Sequence, residues 1–326
     1  MNNQKKMQAL ETYFNLMSMN GGVFTFEIAQ KMGIFQLFQE TSLTSDEVTE
    51  ALGFKKRPTK LLLDALQALN LLELDGAKFK PSPTLMFLKG NYQNLSADYW
   101  EHLPVLLKTG VPYKKMDNIE YSENEYEAQA KALEWMMKPS AILATKLLGI
   151  GTQKKGHHIL DVGAGSAIWS LTMLQEDATA RAEAIDWPAV LKIAKAGADA
   201  AGLSDRFNTI AGNFLEIEMI EANYDLVVIA NVTHILTAER NIALFKKVKK
   251  SLKKNGEIVI FDVFSGQEKG NLATALYALG LGIRTEEGTV FKPEELIGFL
   301  KKAGYSEFKV TPLEVTPYTM GMLEAK

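Results

Sequence analysis

The sequence predicts a doubly wound, Rossmann-like α/β domain preceded by a smaller, mostly helical domain of winged-helix outline. Three observations carry this expectation. From about residue 155, short apolar runs (HHILDVG, RAEAID, RFNTIAG, YDLVVIAN, GEIVIFDV) alternate with amphipathic stretches such as WPAVLKIAKAGADAAG and TAERNIALFKKVKKSLKKNG. Near-continuously apolar strands separated by such helices indicate a parallel sheet covered on both faces. Up to about residue 110 the chain reads instead as helix, turn, helix and small hairpin. A length of 326 residues also exceeds one ordinary core, so two domains are expected, 1–110 and 111–326.

The elements follow in order. MNNQKKMQALETYFNLMSMN reads as an amphipathic helix, because Glu11 and Asn15 interrupt any run long enough for a signal peptide. In LTSDEVTEAL, Thr44 with Glu47 three residues later makes a capping box, and Val48, Ala51 and Leu52 share one face. Phe54 to Pro58 is a turn, and Thr59 to Leu71 is a second helix. Its expected core stripe is Leu62, Ala65, Leu66, Leu69 and Leu72. LLELDGAKFKPSPT places a hairpin around Asp75-Gly76. GVPYKKMDNIEYSENEYEAQ is polar and turn-prone and reads as a linker. The tail carries two final strands with no helix between them, so one of them is expected to run antiparallel.

Composition removes several functions. A formal charge of −3 and a pI near 5.9 create no field for a polyanion. The tight basic cluster Lys55, Lys56 and Arg57 is balanced by Glu47, Glu50, Asp64, Glu73 and Asp75, so the winged-helix outline reads as a packing module and not a DNA binder. The absence of cysteine excludes disulfides, thiolate metal sites and a cysteine nucleophile, and it suits a reducing cytoplasm. No metal site is expected. No apolar run approaches the roughly 18 residues of a membrane-spanning helix.

The chemistry concentrates at strand ends. HILDVGAGSAIW turns from a strand into a helix through Gly163 and Gly165, the geometry that lets backbone N–H groups approach a ligand closely. A dinucleotide loop wants a glycine at position 168, which is Ile168; the spacing acid-x-G-x-G-x-G is met by Asp161, Gly163 and Gly165, with Ala167 in the last place. Asp186 ends the second strand about twenty residues later, where a carboxylate can take both hydroxyls of a ribose. It equally suits a helix cap before Trp187-Pro188. After the third strand, Asn213 offers an amide and Phe214 a flat face to an adenine. Asn231 closes the fourth strand beside the glycine loop and completes the candidate cofactor set.

Of four histidines, His157 and His158 enter the first strand, away from the ligand side. His234 lies just past the carboxyl end of the fourth strand, where it can act as a general base or cap the following helix. Asp262 ends the neighbouring strand and can orient the imidazole, since adjacent strands lie about 5 Å apart.

Taken in order, HILDVGAGSAIW, AIDWPAV, RFNTIAGNF, LVVIANVTHIL and GEIVIFD resemble class I S-adenosylmethionine-dependent methyltransferases. More narrowly, the chain is similar to small-molecule O-methyltransferases, the group that includes caffeate, acetylserotonin and bacterial natural-product enzymes. The resemblance implies S-adenosylmethionine as cofactor, Gly163 near its methionine part, Asp186 on the ribose, Asn213 and Phe214 at the adenine, and His234 as base. It also implies a homodimer built through the N-terminal domain and a small-molecule acceptor held between the domains. Tyr99, Trp100, His102, Met136 and Met137 are the candidate acceptor contacts. Asn213 stands for a usual Asp, Ile235-Leu236 for a usual Asp-Trp, and Val290 for a second acid. Two other readings stay open: a relative that uses the cofactor without methyl transfer, and transfer to nitrogen or carbon.

Overall fold

A computed structural model describes residues 3–38, 41–88, 97–266, 271–315 and 320–326. Contacts divide the chain into two compact units, Met1–Tyr92 and Gln93–Lys326. Residues 97–110, read from the sequence as part of the first domain, therefore group with the second unit.

The first unit holds α1 (Asn3–Lys31), α2 (Ile34–Leu37), β1 (Leu43–Thr44), α3 (Ser45–Leu52), α4 (Lys56–Ala68), β2 (Leu72–Asp75), β3 (Lys78–Pro81) and α5 (Pro83–Leu88). The three strands form an antiparallel sheet in the order β1-β3-β2. Thr44 caps α3 as its spacing requires: its hydroxyl accepts from Glu47 N at 3.2 Å, and Thr44 N donates to the Glu47 carboxylate at 2.6 Å. The predicted stripe holds in part: Leu66 and Leu72 are buried and Leu62 packs against the core. Thr59, Leu63 and Leu66 are buried, whereas Leu69 is 38% exposed. The helix begins earlier, at Lys56, because Pro58 is tolerated in a first turn. It also ends earlier, with Asn70 left-handed at φ 56°, so Leu69 has left the helical face. Ile34, Phe38, Val48, Leu63, Leu66, Leu72 and Phe79 make the small core.

The second unit opens with α6 (Ala97–Glu101), α7 (Leu103–Thr109) and α8 (Ile119–Leu147). The expected linker is a helix from Ile119 onward. Its polar letters hide an apolar row at helical spacing, Tyr126, Ala130, Leu133 and Met137, which faces a cleft described below. Then follow β4 (His158–Val162), α9 (Ile168–Glu176), β5 (Arg181–Asp186), α10 (Pro188–Ala200), β6 (Phe207–Ala211), β7 (Tyr224–Ala230), a 3-10 turn (Thr233–Ile235), α11 (Ala238–Ser251) and β8 (Leu252–Val263). The unit closes with α12 (Leu272–Arg284), α13 (Pro293–Lys302), β9 (Phe308–Pro312) and β10 (Met320–Ala325).

The seven strands run β6-β5-β4-β7-β8-β10-β9. Pairs among β4 to β8 are parallel, and β10 is antiparallel to both β8 and β9, as the helix-free tail predicts. The chain steps outward from β4 to β6 and then returns to β7 on the other side of β4. That reversal opens a crevice at the carboxyl ends of β4 and β7, the place where ligands enter doubly wound sheets. One apolar core covers each face: Ile159, Val228 and Phe261 with α8 and α9, and Leu160, Val227 and Ile260 with α11 and α13. At the opposite strand ends His158 is buried and its Nδ1 lies 3.1 Å from the Asn223 carbonyl, so it serves the framework. Among the described residues no helix is long and apolar enough to cross a membrane, and no cluster of acids and histidines is arranged to hold a metal ion.

Candidate active site

The glycine turn between β4 and α9 forms one wall of the cleft. Gly163 N donates to Ile185 O at 2.9 Å, which ties the turn to β5. Gly163 has φ +67°, and a Cβ there would lie 2.6 Å from Val232 Cγ2, so no other residue fits without displacement. Ala167, buried at the head of α9, takes φ +57°, the left-handed region that costs a non-glycine residue about 1 kcal/mol. The position is thus tolerated, and its methyl packs into the core.

Asp186 closes the turn. Its Oδ2 accepts Gly165 N–H and its Oδ1 accepts Trp187 N–H, both at 2.7 Å. A carboxylate has about four acceptor positions, so each oxygen keeps room for a further donor from the cleft. The cap reading does not hold, because Trp187, not Asp186, is the N-cap of α10 and makes no side-chain capping bond; the ribose reading keeps its acceptor positions. Burial raises the Asp186 pKa, and the two backbone donors oppose that shift.

Asp161 is placed differently from its motif neighbours. It is fully buried beneath the turn and does not line the cleft. Ser170 donates to its Oδ2 through the hydroxyl at 2.6 Å and the backbone at 3.4 Å. Burial pushes its pKa up to about 7. The alternation of side chains along β4 turns position 161 toward α9, so Asp161 braces the loop from behind.

Asn213, Phe214 and Asn231 border the cleft with Gly163, Gly165 and Asp186. Asn213 also holds its own turn: Oδ1 accepts Leu215 N–H at 3.0 Å, and Nδ2 donates to Glu216 at 3.2 Å. Lys247, which the sequence reading missed, anchors this turn from α11. Its ammonium donates to the carbonyls of Phe214, Leu215 and Ile217 at 3.3, 2.7 and 2.8 Å. In the sequence it is one more lysine of a basic helix face, without a local mark.

His234 and Asp262 come together in the 3-10 turn and at the end of β8. His234 Nδ1 lies 2.6 Å from Asp262 Oδ1, and the Thr233 hydroxyl donates to Asp262 Oδ2 at 2.5 Å. Asn241 Nδ2 donates to Thr233 O at 2.9 Å, and Thr289 N donates to His234 O at 2.8 Å, so the turn is held on both sides. Among the described residues, Tyr277 faces the other ring nitrogen, with Oη 3.2 Å from Nε2. Neither Thr233 nor Tyr277 carried a sequence signal. Val290, at the place of a second acid, packs against the apolar core.

The acceptor candidates divide. Met137 lines the cleft and Met136 packs beside the adjoining core. Tyr99 and His102 instead gather around Tyr113, with ring centroids 5.0 and 5.5 Å away, and Trp100 is 37% exposed. His102 Nε2 lies 3.0 Å from the Val111 carbonyl, a contact that links the two ends of α7. These three do not line the cleft. The floor is made by Ala130, Met137, Ile168 and Trp169, the last stacked on Phe261 at 4.0 Å. An apolar floor, a glycine cradle, a doubly accepting carboxylate and an aromatic face fit S-adenosylmethionine.

Fold and cleft together define a class I methyltransferase architecture. Its likeness to solved structures spans the whole chain. Human N-acetylserotonin methyltransferase, solved with S-adenosylmethionine, is matched at a TM-score of 0.72 and 19% identity over 100% of this chain and 98% of that one. The mitomycin 7-O-methyltransferase is matched at a TM-score of 0.75 and 17% identity over 100% and 99%. In sequence, a 3-hydroxy-5-methyl-1-naphthoate 3-O-methyltransferase of Streptomyces sahachiroi is 23% identical over 87% of this chain and 86% of its own length. The O-methyltransferase domain model matches residues 100–306, and the chain belongs to that family. It is an S-adenosylmethionine-dependent methyltransferase of the natural-product type.

Proposed function

We propose that the methyl group goes to a hydroxyl of an aromatic or conjugated small molecule, with His234 as general base and Asp262 as its orienting partner. The 2.6 Å contact between Asp262 and His234 Nδ1 carries this reading, because it leaves Nε2 as the basic nitrogen. Bound S-adenosylmethionine supplies a methyl group already activated on a sulfonium, so the methyl–sulfur electron pair returns to sulfur as the acceptor oxygen bonds to carbon. His234 takes the hydroxyl proton at Nε2. Asp186 and the Gly163 to Gly165 turn hold the nucleoside and methionine ends. The apolar floor excludes water, and the cleft fixes the line of attack. The relative named for a hydroxynaphthoate supports an aromatic acceptor.

The test is a screen of phenolic and enolic acceptors with methyl-labelled cofactor. The expected result is labelled ether together with an equal amount of S-adenosylhomocysteine. Release of S-adenosylhomocysteine with label only on nitrogen or carbon overturns the hydroxyl assignment, and cofactor binding without its release overturns methyl transfer.

The N-terminal unit supports a homodimer. Along the 29 residues of α1, Tyr13, Phe14 and Phe24 are 56%, 62% and 59% exposed, and Leu10, Met17 and Val23 stand beside them. An unpartnered apolar surface of that extent marks an interface. Sedimentation at micromolar concentration is expected to give twice the 36.1 kDa chain, and Phe14→Glu with Phe24→Glu is expected to give one chain. A wild-type protein that sediments as a single chain removes the dimer.

A further inference from the structure

The pairing of His234 goes beyond an oriented base. Asp262 Oδ1 accepts Val263 N–H at 2.8 Å as well as facing Nδ1, and Oδ2 accepts the Thr233 hydroxyl. Both carboxylate oxygens therefore receive donors, and the Nδ1 proton belongs to the imidazole. Nε2 then carries the lone pair, and the Tyr277 hydroxyl donates to it at 3.2 Å across an edge-to-face arrangement of the two rings at 84°. One sp² lone pair accepts one well-formed hydrogen bond at a time. The nitrogen that must take the acceptor's proton is already engaged by a phenol of the chain itself.

Building on the general-base reading, we propose that Tyr277 is a positioning residue that holds the place of the acceptor hydroxyl at Nε2 and selects for phenolic acceptors. The contact is longer than the usual 2.7–2.8 Å of a hydroxyl donor, so it is a bond that a better donor replaces. A phenolic acceptor carries the same kind of hydroxyl donor as the tyrosine side chain it displaces. An aliphatic alcohol is a weaker donor and loses the exchange. Tyr277 lies in α12, its ring packs against the apolar core, and the Arg284 guanidinium sits 5.9 Å from the ring centroid. While the site waits, the tyrosine keeps the imidazole in the tautomer that catalysis needs. When a phenol arrives, the hydroxyls exchange and no charge has to be moved.

The experiment follows the imidazole nitrogens by NMR in enzyme saturated with S-adenosylhomocysteine, as phenol or benzyl alcohol is added. Four histidines make the His234 resonances assignable by single substitutions. In the wild type, phenol is expected to shift His234 Nε2 and the Tyr277 ring together, and benzyl alcohol to shift neither at the same concentration. In Tyr277→Phe, phenol is expected to bind about 2–10-fold tighter, the worth of one neutral hydrogen bond, and benzyl alcohol to gain access to Nε2. Phenol binding that is equal or weaker in Tyr277→Phe overturns the proposal. So does a wild-type titration in which Tyr277 moves and His234 does not, the sign of a relay through the tyrosine. Affinity for S-adenosylhomocysteine reports whether the variant is folded, and the wild-type titration decides alone if it is not. The base reading fails separately, through unchanged turnover of His234→Ala.

Discussion

His234→Ala is expected to lower turnover by about 10²–10⁴-fold, the usual contribution of a positioned general base. Affinity for S-adenosylhomocysteine should stay within about twofold, because no cofactor-binding residue is touched. A phenolic hydroxyl is mostly protonated at neutral pH, so without the imidazole only the small ionised fraction attacks well. The substitution also strips a partner from Asp262, which is 1% exposed. That carboxylate keeps the Thr233 hydroxyl and the Val263 amide, so the cost in stability is about 1–3 kcal/mol and the fold persists. Rates must therefore be compared at temperatures where both proteins are fully folded. Turnover equal to the wild type under those conditions removes His234 from the chemistry.

Asp186→Ala is expected to raise the Kd for S-adenosylhomocysteine by about 10²-fold or more. Two hydroxyl donors to a carboxylate contribute about 1.5–3 kcal/mol each, and the substitution also orphans Gly165 N–H and Trp187 N–H. The loss therefore has two parts, a direct one on the ribose and an indirect one on the shape of the glycine turn. Asp186→Asn separates them, since an amide offers only one acceptor oxygen and must turn its NH₂ toward one of the two backbone donors. Calorimetry on the three proteins reads the difference. On the ribose assignment, the turnover of Asp186→Ala at saturating cofactor is expected to recover substantially, because the acid then serves cofactor binding and not the reacting atoms. An unchanged Kd in both variants would falsify the ribose assignment.

The candidate site was legible where backbone topology alone decides position. A residue at the carboxyl end of a parallel strand next to the switch point faces the crevice, and strand ends can be read from apolar runs. Gly163, Gly165, Asp186, Asn213, Phe214 and Asn231 all border one cleft for that reason. The pairing of His234 with Asp262, 28 residues apart, follows from the parallel pairing of β7 with β8. Asp161 shows the limit of the same logic. Its place in the motif is on β4, but side-chain alternation sends it under the turn to Ser170, away from the cleft.

Helical contributions were harder to read. The segment around Glu123 looked like a linker because polar residues dominate its letters, while Tyr126, Ala130, Leu133 and Met137 form a narrow stripe toward the cleft. Tyr99, Trp100 and His102 drew attention as aromatic and titratable residues in a connector, yet two of them pack around Tyr113. The parallel sheet with an antiparallel strand in its tail, the glycine turn and the approach of His234 to Asp262 were legible in the sequence alone, since each depends on local periodicity and on rules of parallel sheets. Only the tertiary structure decided that Lys247 anchors the Asn213 turn and that the hydroxyl of Tyr277, 43 residues from His234, lies against its Nε2. Those contacts depend on how α11 and α12 rotate against their neighbours, and a rotation of that kind is set by side-chain packing across the whole layer and leaves no mark in the helix's own letters.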